Sequence, residues 1–129
     1  MNKKNILVVA NPGKMNNDIF KWISNTDAFD LVFADNHERA IELSHQQLFD
    51  MALIDITDEE INDRKLKAVL PLLNTEILMV AYNGEAIEML EAKVNYAFDM
   101  RKKRRMQRLL ILDSSVNNGW KSLPPFSVN

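Results

Sequence analysis

Four short apolar runs, each followed by a segment with helical spacing, set the rhythm of this chain. Ile6-Leu-Val-Val-Ala10 is continuous and rich in β-branched residues, the pattern of a strand buried on both faces. Asn11-Pro12-Gly13 breaks it. From Lys14 to Asn25, the residues Met15, Ile19, Trp22 and Ile23 recur as on one face of an amphipathic helix. Phe29 to Ala34 predicts a second strand. Asp35, with Glu38 as its reciprocal partner, predicts the cap of a helix running to about Gln47, with Ala40, Ile41 and Leu48 on one side. Met51-Ala-Leu-Ile54 predicts a third strand that ends in Asp55. Thr57 or Asp58 can cap a third helix through Leu70, with Ile61, Leu66, Val69, Leu70 and Leu73 towards the core. Pro71 ends that helix or loosens its last turn. Glu76 to Tyr82 predicts a fourth strand, Asn83-Gly84 a turn, and Glu85 to about Ala92 a helix with Ile87 and Leu90 inward.

Residues 93–116 fit two patterns. Nothing between Gly84 and Gly119 is Gly or Pro, so one helix over 85–116 is compatible with the sequence. Val94, Tyr96 and Phe98 also alternate as a strand would. A short fifth strand over Val94–Phe98 would then lead into a helix from Met100 to about Val116, with Met106, Leu109, Leu110 and Val116 along one face. The second pattern is favoured. Strands separated by helices give parallel units with right-handed crossovers. The expected fold is therefore α/β, a three-layer doubly wound parallel sheet of five strands, over residues 1–116. A tail, 117–129, is expected to pack on this domain or on a neighbouring chain.

Composition narrows the function. A chain of 129 residues suffices for one domain with a real core. The absence of cysteine excludes disulfides, thiolate catalysis and cysteine-based metal sites. His37 and His45 share one predicted helix, which does not suit a histidine-rich metal site. No apolar run approaches the ~20 residues of a membrane span. The run Ile6–Ala10 falls short of a signal-peptide core of ~7–15 residues, so a cytoplasmic protein is expected. Charge is unevenly distributed. Residues 1–99 carry 9 Lys/Arg against 17 Asp/Glu, a net −8, whereas residues 100–129 carry 7 Lys/Arg against one Asp, a net +6. Most of the positive group is Arg101-Lys-Lys-Arg-Arg105 with Arg108 after it. The run suits the solvated face of a terminal helix, or an anionic partner.

Asp55 is the leading candidate for chemistry. A buried strand that delivers a carboxylate to its C-terminal tip builds a site where open α/β sheets form crevices. In order and spacing, residues 4–116 resemble the receiver domains of two-component response regulators. The resemblance rests on Lys4-Asn-Ile-Leu-Val-Val9, Phe49-Asp-Met-Ala-Leu-Ile-Asp-Ile56, Ile77-Leu-Met-Val-Ala-Tyr82 and Leu90-Glu-Ala-Lys-Val-Asn-Tyr-Ala-Phe98. It implies a flavodoxin-like fold, with Asp55 at the position that accepts a phosphoryl group from a histidine kinase. It places Ala10 and Asn11 where receivers hold Mg²⁺ with two acidic residues, and Ala81 at the hydroxyl residue that contacts the phosphoryl group. Asp99 falls on the family lysine, and Tyr96 on the aromatic that changes position on activation.

Four of those six positions depart from the family in chemistry. Mg²⁺ needs oxygen ligands in near-octahedral geometry, usually with one or two carboxylates. Asp55 and the neutral amide of Asn11 are the remaining candidate metal donors. Ala81 cannot donate a hydrogen bond. Asp99 puts a negative charge where an aspartyl phosphate of nearly −2 needs a positive one. Lys14 could lean over the crevice as a replacement cation, or be a solvated residue in the first turn of a helix. Asp58, Glu59 and Glu60 could supply a carboxylate, or be the acidic start of a helix.

The resemblance thus implies a stand-alone, degenerate receiver, a pseudo-receiver with impaired or absent Mg²⁺-dependent phosphorylation of Asp55. It would act by protein–protein interaction in a phosphorelay rather than as an enzyme, and would have no cofactor. Its partner would be a histidine kinase, another signalling protein or a second copy of itself. The alternative is a polyanion- or nucleic-acid-binding regulatory protein. On a helix, Arg101, Arg104, Arg105 and Arg108 share one face. No aromatic residue interleaves with those arginines, which counts against single-strand stacking. An enzyme using Asp55 as acid or base is disfavoured by the lack of a visible partner residue. Asn-Pro-Gly-Lys14 lacks the longer glycine-rich stretch of a phosphate-binding loop.

Overall fold

The computed structural model describes residues 3–14, 17–25 and 27–122, with the backbone alone at 18 and 112–122. The chain divides into two compact units, Met1–Val94 and Asn95–Asn129. In the first, strands β1 (Lys4–Val9), β2 (Phe29–Ala34), β3 (Met51–Asp55) and β4 (Leu78–Tyr82) alternate with helices α1 (Asn17–Asn25), α2 (His37–Gln46) and α3 (Asp63–Leu73). The last helix, α4 (Ile87–Ser122), starts in the first unit and supplies the described part of the second. The sheet is parallel throughout, in the order β2-β1-β3-β4. Chain order and strand order therefore cross over between β2 and β3, as in doubly wound folds.

β1 and β3 are central, and their apolar character follows from burial on both faces. All five residues of β3 are buried, from Met51 to Asp55. On one face Leu7, Val9, Ala52 and Ile54 pack with Ala40 and Leu43 of α2 and with Leu66 and Leu70 of α3. Phe49 and Ile61 fill the ends of that layer. On the other face Ile6 and Leu53 meet Trp22 and Ile23 of α1 and Val94 of α4 around a small apolar crevice. Trp22 Nε1 also donates to Glu91 Oε2 at 3.0 Å, tying α1 to the start of α4.

The fifth strand expected at Val94–Phe98 does not form, and α4 runs through it. The reason lies in the burial of those residues. Val94 is 1 % exposed and Tyr96 is 66 % exposed, so they do not share a face as alternate residues of a strand would. Val94 instead follows Leu90 by one helical turn, and both are buried. With no Gly or Pro to interrupt it, the helix continues. It reaches Ser122, so the first six residues of the expected tail are helical, and residues 123–129 lie outside the described chain.

Smaller corrections concern caps and faces. Asn36, not Asp35, caps α2 by accepting from Arg39 N at 2.7 Å. Asn62 caps α3 through Lys65 N at 3.0 Å, so a turn over residues 56–61 separates β3 from α3. The helix runs on past Pro71 to Leu73. Leu48 lies beyond the end of α2 and is exposed, and Phe49 is buried in its place. Met106, Leu109 and Leu110, expected along one face of the last helix, are all more than half exposed. Met15 and the side chain of Val116 lie outside the described residues.

Without a fifth strand, β4 is an edge. The bonds Leu78 N–H to Asp50 O (3.0 Å) and Ile56 N–H to Tyr82 O (3.0 Å) show that Leu78, Val80 and Tyr82 serve the ladder with β3. The backbone groups of Met79 and Ala81 turn outward by the alternation of a parallel ladder. Lys93 Nζ donates to the Ala81 carbonyl, so an ammonium group covers part of that edge.

Candidate functional site

The C-terminal ends of β1, β3 and β4 come together because the strands are parallel and in register. Val9 pairs with Ile54 and Ile54 with Ala81, while Asp55 pairs with Tyr82. Ala10 follows β1 directly and is buried, its N–H held by Ala34 O at 3.0 Å. The positions Ala10, Asn11, Asp55 and Ala81 therefore gather at one end of the sheet. Asp99 and Tyr96 belong to the second unit, on the helix α4 and not on a strand.

Asp55 is 1 % exposed. Its Oδ1 accepts from Thr57 N at 2.9 Å and from Thr57 Oγ1 at 2.5 Å. This is an Asx-type turn, in which a short acidic side chain caps the backbone two residues on. The other oxygen, Oδ2, is the sole buried side-chain polar atom among the described residues that lacks a hydrogen-bond partner. An unsatisfied buried group costs about 1–3 kcal/mol, and more when charged. The crevice therefore holds one carboxylate oxygen that no described residue hydrogen-bonds.

The level of Asp55 on β4 is Tyr82 rather than Ala81. Paired residues of a parallel sheet project to the same face, and adjacent residues to opposite faces. Tyr82 is 5 % exposed. Burial raises its phenol above the usual value, and the negative charges of Asp55 and Glu85 raise it further. The hydroxyl-bearing residue abreast of Asp55 is thus a tyrosine that keeps its proton.

Two lysines stand at this end of the sheet, and each is engaged by carboxylates. Lys14 Nζ lies 3.2 Å from Asp58 Oδ1 and 3.6 Å from Glu60 Oε2. The hydrogen bond to Asp58 is the main reason its ammonium titrates above the usual value. Asp58 is itself buried and also accepts from Glu60 N at 3.0 Å. Lys14 thus joins the loop after β1 to the turn after β3. Lys93 bonds Glu85 Oε2 at 2.5 Å as well as the Ala81 carbonyl. Glu85 Oε1 accepts from Asn83 N at 2.6 Å, and Gly84 supplies the positive φ of 78° that this turn needs. Burial alone would raise the Glu85 carboxyl. The Lys93 hydrogen bond and the backbone N–H groups of Asn83 and Glu85 outweigh it, and the group titrates below the usual value.

These residues do not fit an octahedral Mg²⁺. Asn11 Oδ1 accepts from Gly13 N at 2.9 Å, and Asp58 Oδ1 is engaged by the Lys14 ammonium. Asp55 Oδ2 is buried without a hydrogen-bond partner, and the described residues include no group of three His, Cys, Asp or Glu placed to hold a metal. Sequence reasoning passed over Tyr82, Glu85 and Lys93. Strand register and the fold of α4 over the end of β4 bring them to the site, and neither can be read from spacing. Thr57 did carry a local signal, an Asp two residues before a hydroxyl. The described residues include no helix long and apolar enough to cross a membrane. Comparison with protein-family models, curated proteins and solved structures finds no match.

Proposed function

We propose that this chain is a receiver-like signalling module of the two-component, phosphorelay type. It works through protein–protein contact, with Mg²⁺-dependent phosphorylation of Asp55 impaired or absent. The observation that carries the reading is Asp55 itself, a buried carboxylate at the tip of a central strand with one oxygen left without a donor. A phosphoryl group there would add a charge of about −1.5 to −2 that positive groups must balance. Lys14 and Lys93 are held by Asp58 and Glu85 instead.

The test has two arms. Incubation with acetyl phosphate or phosphoramidate, with and without Mg²⁺, is expected to leave the mass of the protein unchanged. Stoichiometric, Mg²⁺-dependent addition of a phosphoryl group at Asp55 would restore an ordinary receiver. In the second arm, Ala10→Asp with Asn11→Asp rebuilds the acidic pair. Mg²⁺ binding, followed by tryptophan fluorescence or calorimetry, is then expected to appear. If it does not, the receiver reading of this crevice is lost.

The polyanion reading draws on the continuity of α4, which puts Arg101, Arg104, Arg105 and Arg108 on one helical face. That face is partly engaged. Arg101 is 7 % exposed, and its guanidinium lies 5.3 Å from the centre of the Phe98 ring, within cation–π range. Binding to DNA or RNA that falls steeply with salt, and is lost in Arg104→Glu with Arg105→Glu, would favour it.

A further inference from the structure

Within the second unit, α4 is the one described element, and it carries an apolar patch that its own unit does not cover. Met106 is 54 % exposed, Leu109 66 % and Leu110 64 %. Helices in proteins draw most of their stability from packing an apolar face, so such a patch calls for a partner. The stripe around the patch has a definite spacing. Tyr96, Asp99, Lys103, Met106 and Leu110 follow one another at alternating steps of three and four residues, the spacing of a coiled-coil seam, and all five are exposed. Continued along the helix, the same seam reaches position 113, an aspartate in the sequence. The arginines 101, 104, 105 and 108 lie on the opposite side of the helix.

We infer that this stripe pairs with the same stripe of a second copy of the chain, in antiparallel orientation, with Met106 against Leu110 of the second copy. Charge selects the orientation. In a parallel pair each seam residue meets its own copy, so Lys103 would face Lys103, and the two basic runs 101–105 would lie side by side. In the antiparallel pair centred on position 108, Met106 faces Leu110, and Lys103 is brought opposite position 113, the aspartate. The basic run of each copy then lies beside residues 111–115 of the other, a stretch with no Lys or Arg. Leu109 flanks the seam beside Leu109 of the second copy and widens the apolar contact. A two-fold pair of this kind is closed and self-complementary. The inference concerns the helix alone, so it stands or falls separately from phosphorylation of Asp55.

Sedimentation of the full chain over a range of concentrations tests it. A reversible dimer is expected. Lys103→Asp is expected to weaken the dimer by about tenfold or more, Asp113→Lys similarly, and the double exchange is expected to restore it, as for paired seam charges. Far-ultraviolet circular dichroism checks that each variant keeps its helix. Because the chain has no cysteine, orientation can be read directly. A mixture of Met106→Cys and Leu110→Cys chains is expected to form a mixed disulfide dimer, and Met106→Cys alone is not. A chain that stays monomeric at all concentrations overturns the inference. So does a dimer that Lys103→Asp tightens, a double exchange that fails to restore it, or efficient cross-linking of Met106→Cys by itself.

Discussion

The first two turns of α4 and the stretch beyond residue 95 are one helix with opposite habits. In the first, Leu90 and Val94 are 0 % and 1 % exposed, Glu91 bonds the indole of Trp22, and Lys93 bonds the edge of β4. In the second, Met106, Leu109 and Leu110 are exposed. Basic residues fill the stripe that continues from Leu90 and Val94, since Arg101 and Arg108 follow them at helical spacing. Apolar residues near one another in sequence thus have different consequences. Burial in the sheet core makes the early ones stability determinants. The later ones are available for contact.

The sharpest way to break this contrast is truncation on each side of it. Leu90→Ala is expected to cost about 2–5 kcal/mol in urea unfolding, as for other buried leucines. Leu110→Ala, measured where the chain is monomeric, is expected to stay within about 0.5 kcal/mol. Equal losses would erase the distinction. Next in size is Lys93→Met, which leaves Glu85 without its ion partner and reopens the Ala81 carbonyl. A loss of about 1 kcal/mol is expected, since the ammonium is partly solvated.

The Glu85–Lys93 pair also predicts a pH dependence. The folded carboxyl titrates below its unfolded value of about 4.5, so its contribution is present above that pH and lost as pH falls through the lower folded value. Glu85→Gln does not titrate. The stability gap between the parent chain and Glu85→Gln should be constant above about pH 6 and close on acidification, in urea unfolding at several pH values. A gap that persists unchanged to pH 3 would mean the pair does not form.

The smallest effect sharpens the β3–β4 register. In a Tyr96→Phe background, Tyr82 is the single tyrosine, and its phenol is expected to titrate above the usual value by ultraviolet absorbance. Adding Asp55→Asn should lower that value only part of the way, because burial is the larger cause and the Asp55 charge the smaller. No change would separate the two residues.

The four parallel strands, and the delivery of Asp55 to a strand tip, were legible in the sequence because short apolar runs between helical segments have few other uses in a chain of this size. Caps were legible only to within a few residues. Asp35-Asn36 offers two adjacent capping side chains, and Thr57, Asp58 and Asn62 offer three within one turn-rich stretch. The fifth strand failed because Val94, Tyr96 and Phe98 satisfy a period of two while Leu90 and Val94 satisfy a helical one. The missing breakers and the burial of Leu90 and Val94 decided for the helix. At the site, the carboxylate was visible but its neighbours were not. Whether Ala81 or Tyr82 stands abreast of Asp55 depends on how β4 slides along β3. Local composition does not encode that slide.

A sheet that stops at four strands also carries a hazard for its own solubility. The outward backbone groups of Met79 and Ala81 form a template on which any extended chain can deposit. Among the described residues Lys93 meets that hazard: it covers the Ala81 carbonyl and sets a charge against incoming strands. Its hold depends on Glu85 remaining ionised. Acidification therefore does more than soften a turn: it loosens the guard on the sheet edge, and aggregation seeded at Leu78–Tyr82 is the failure to watch for below the titration of that carboxyl.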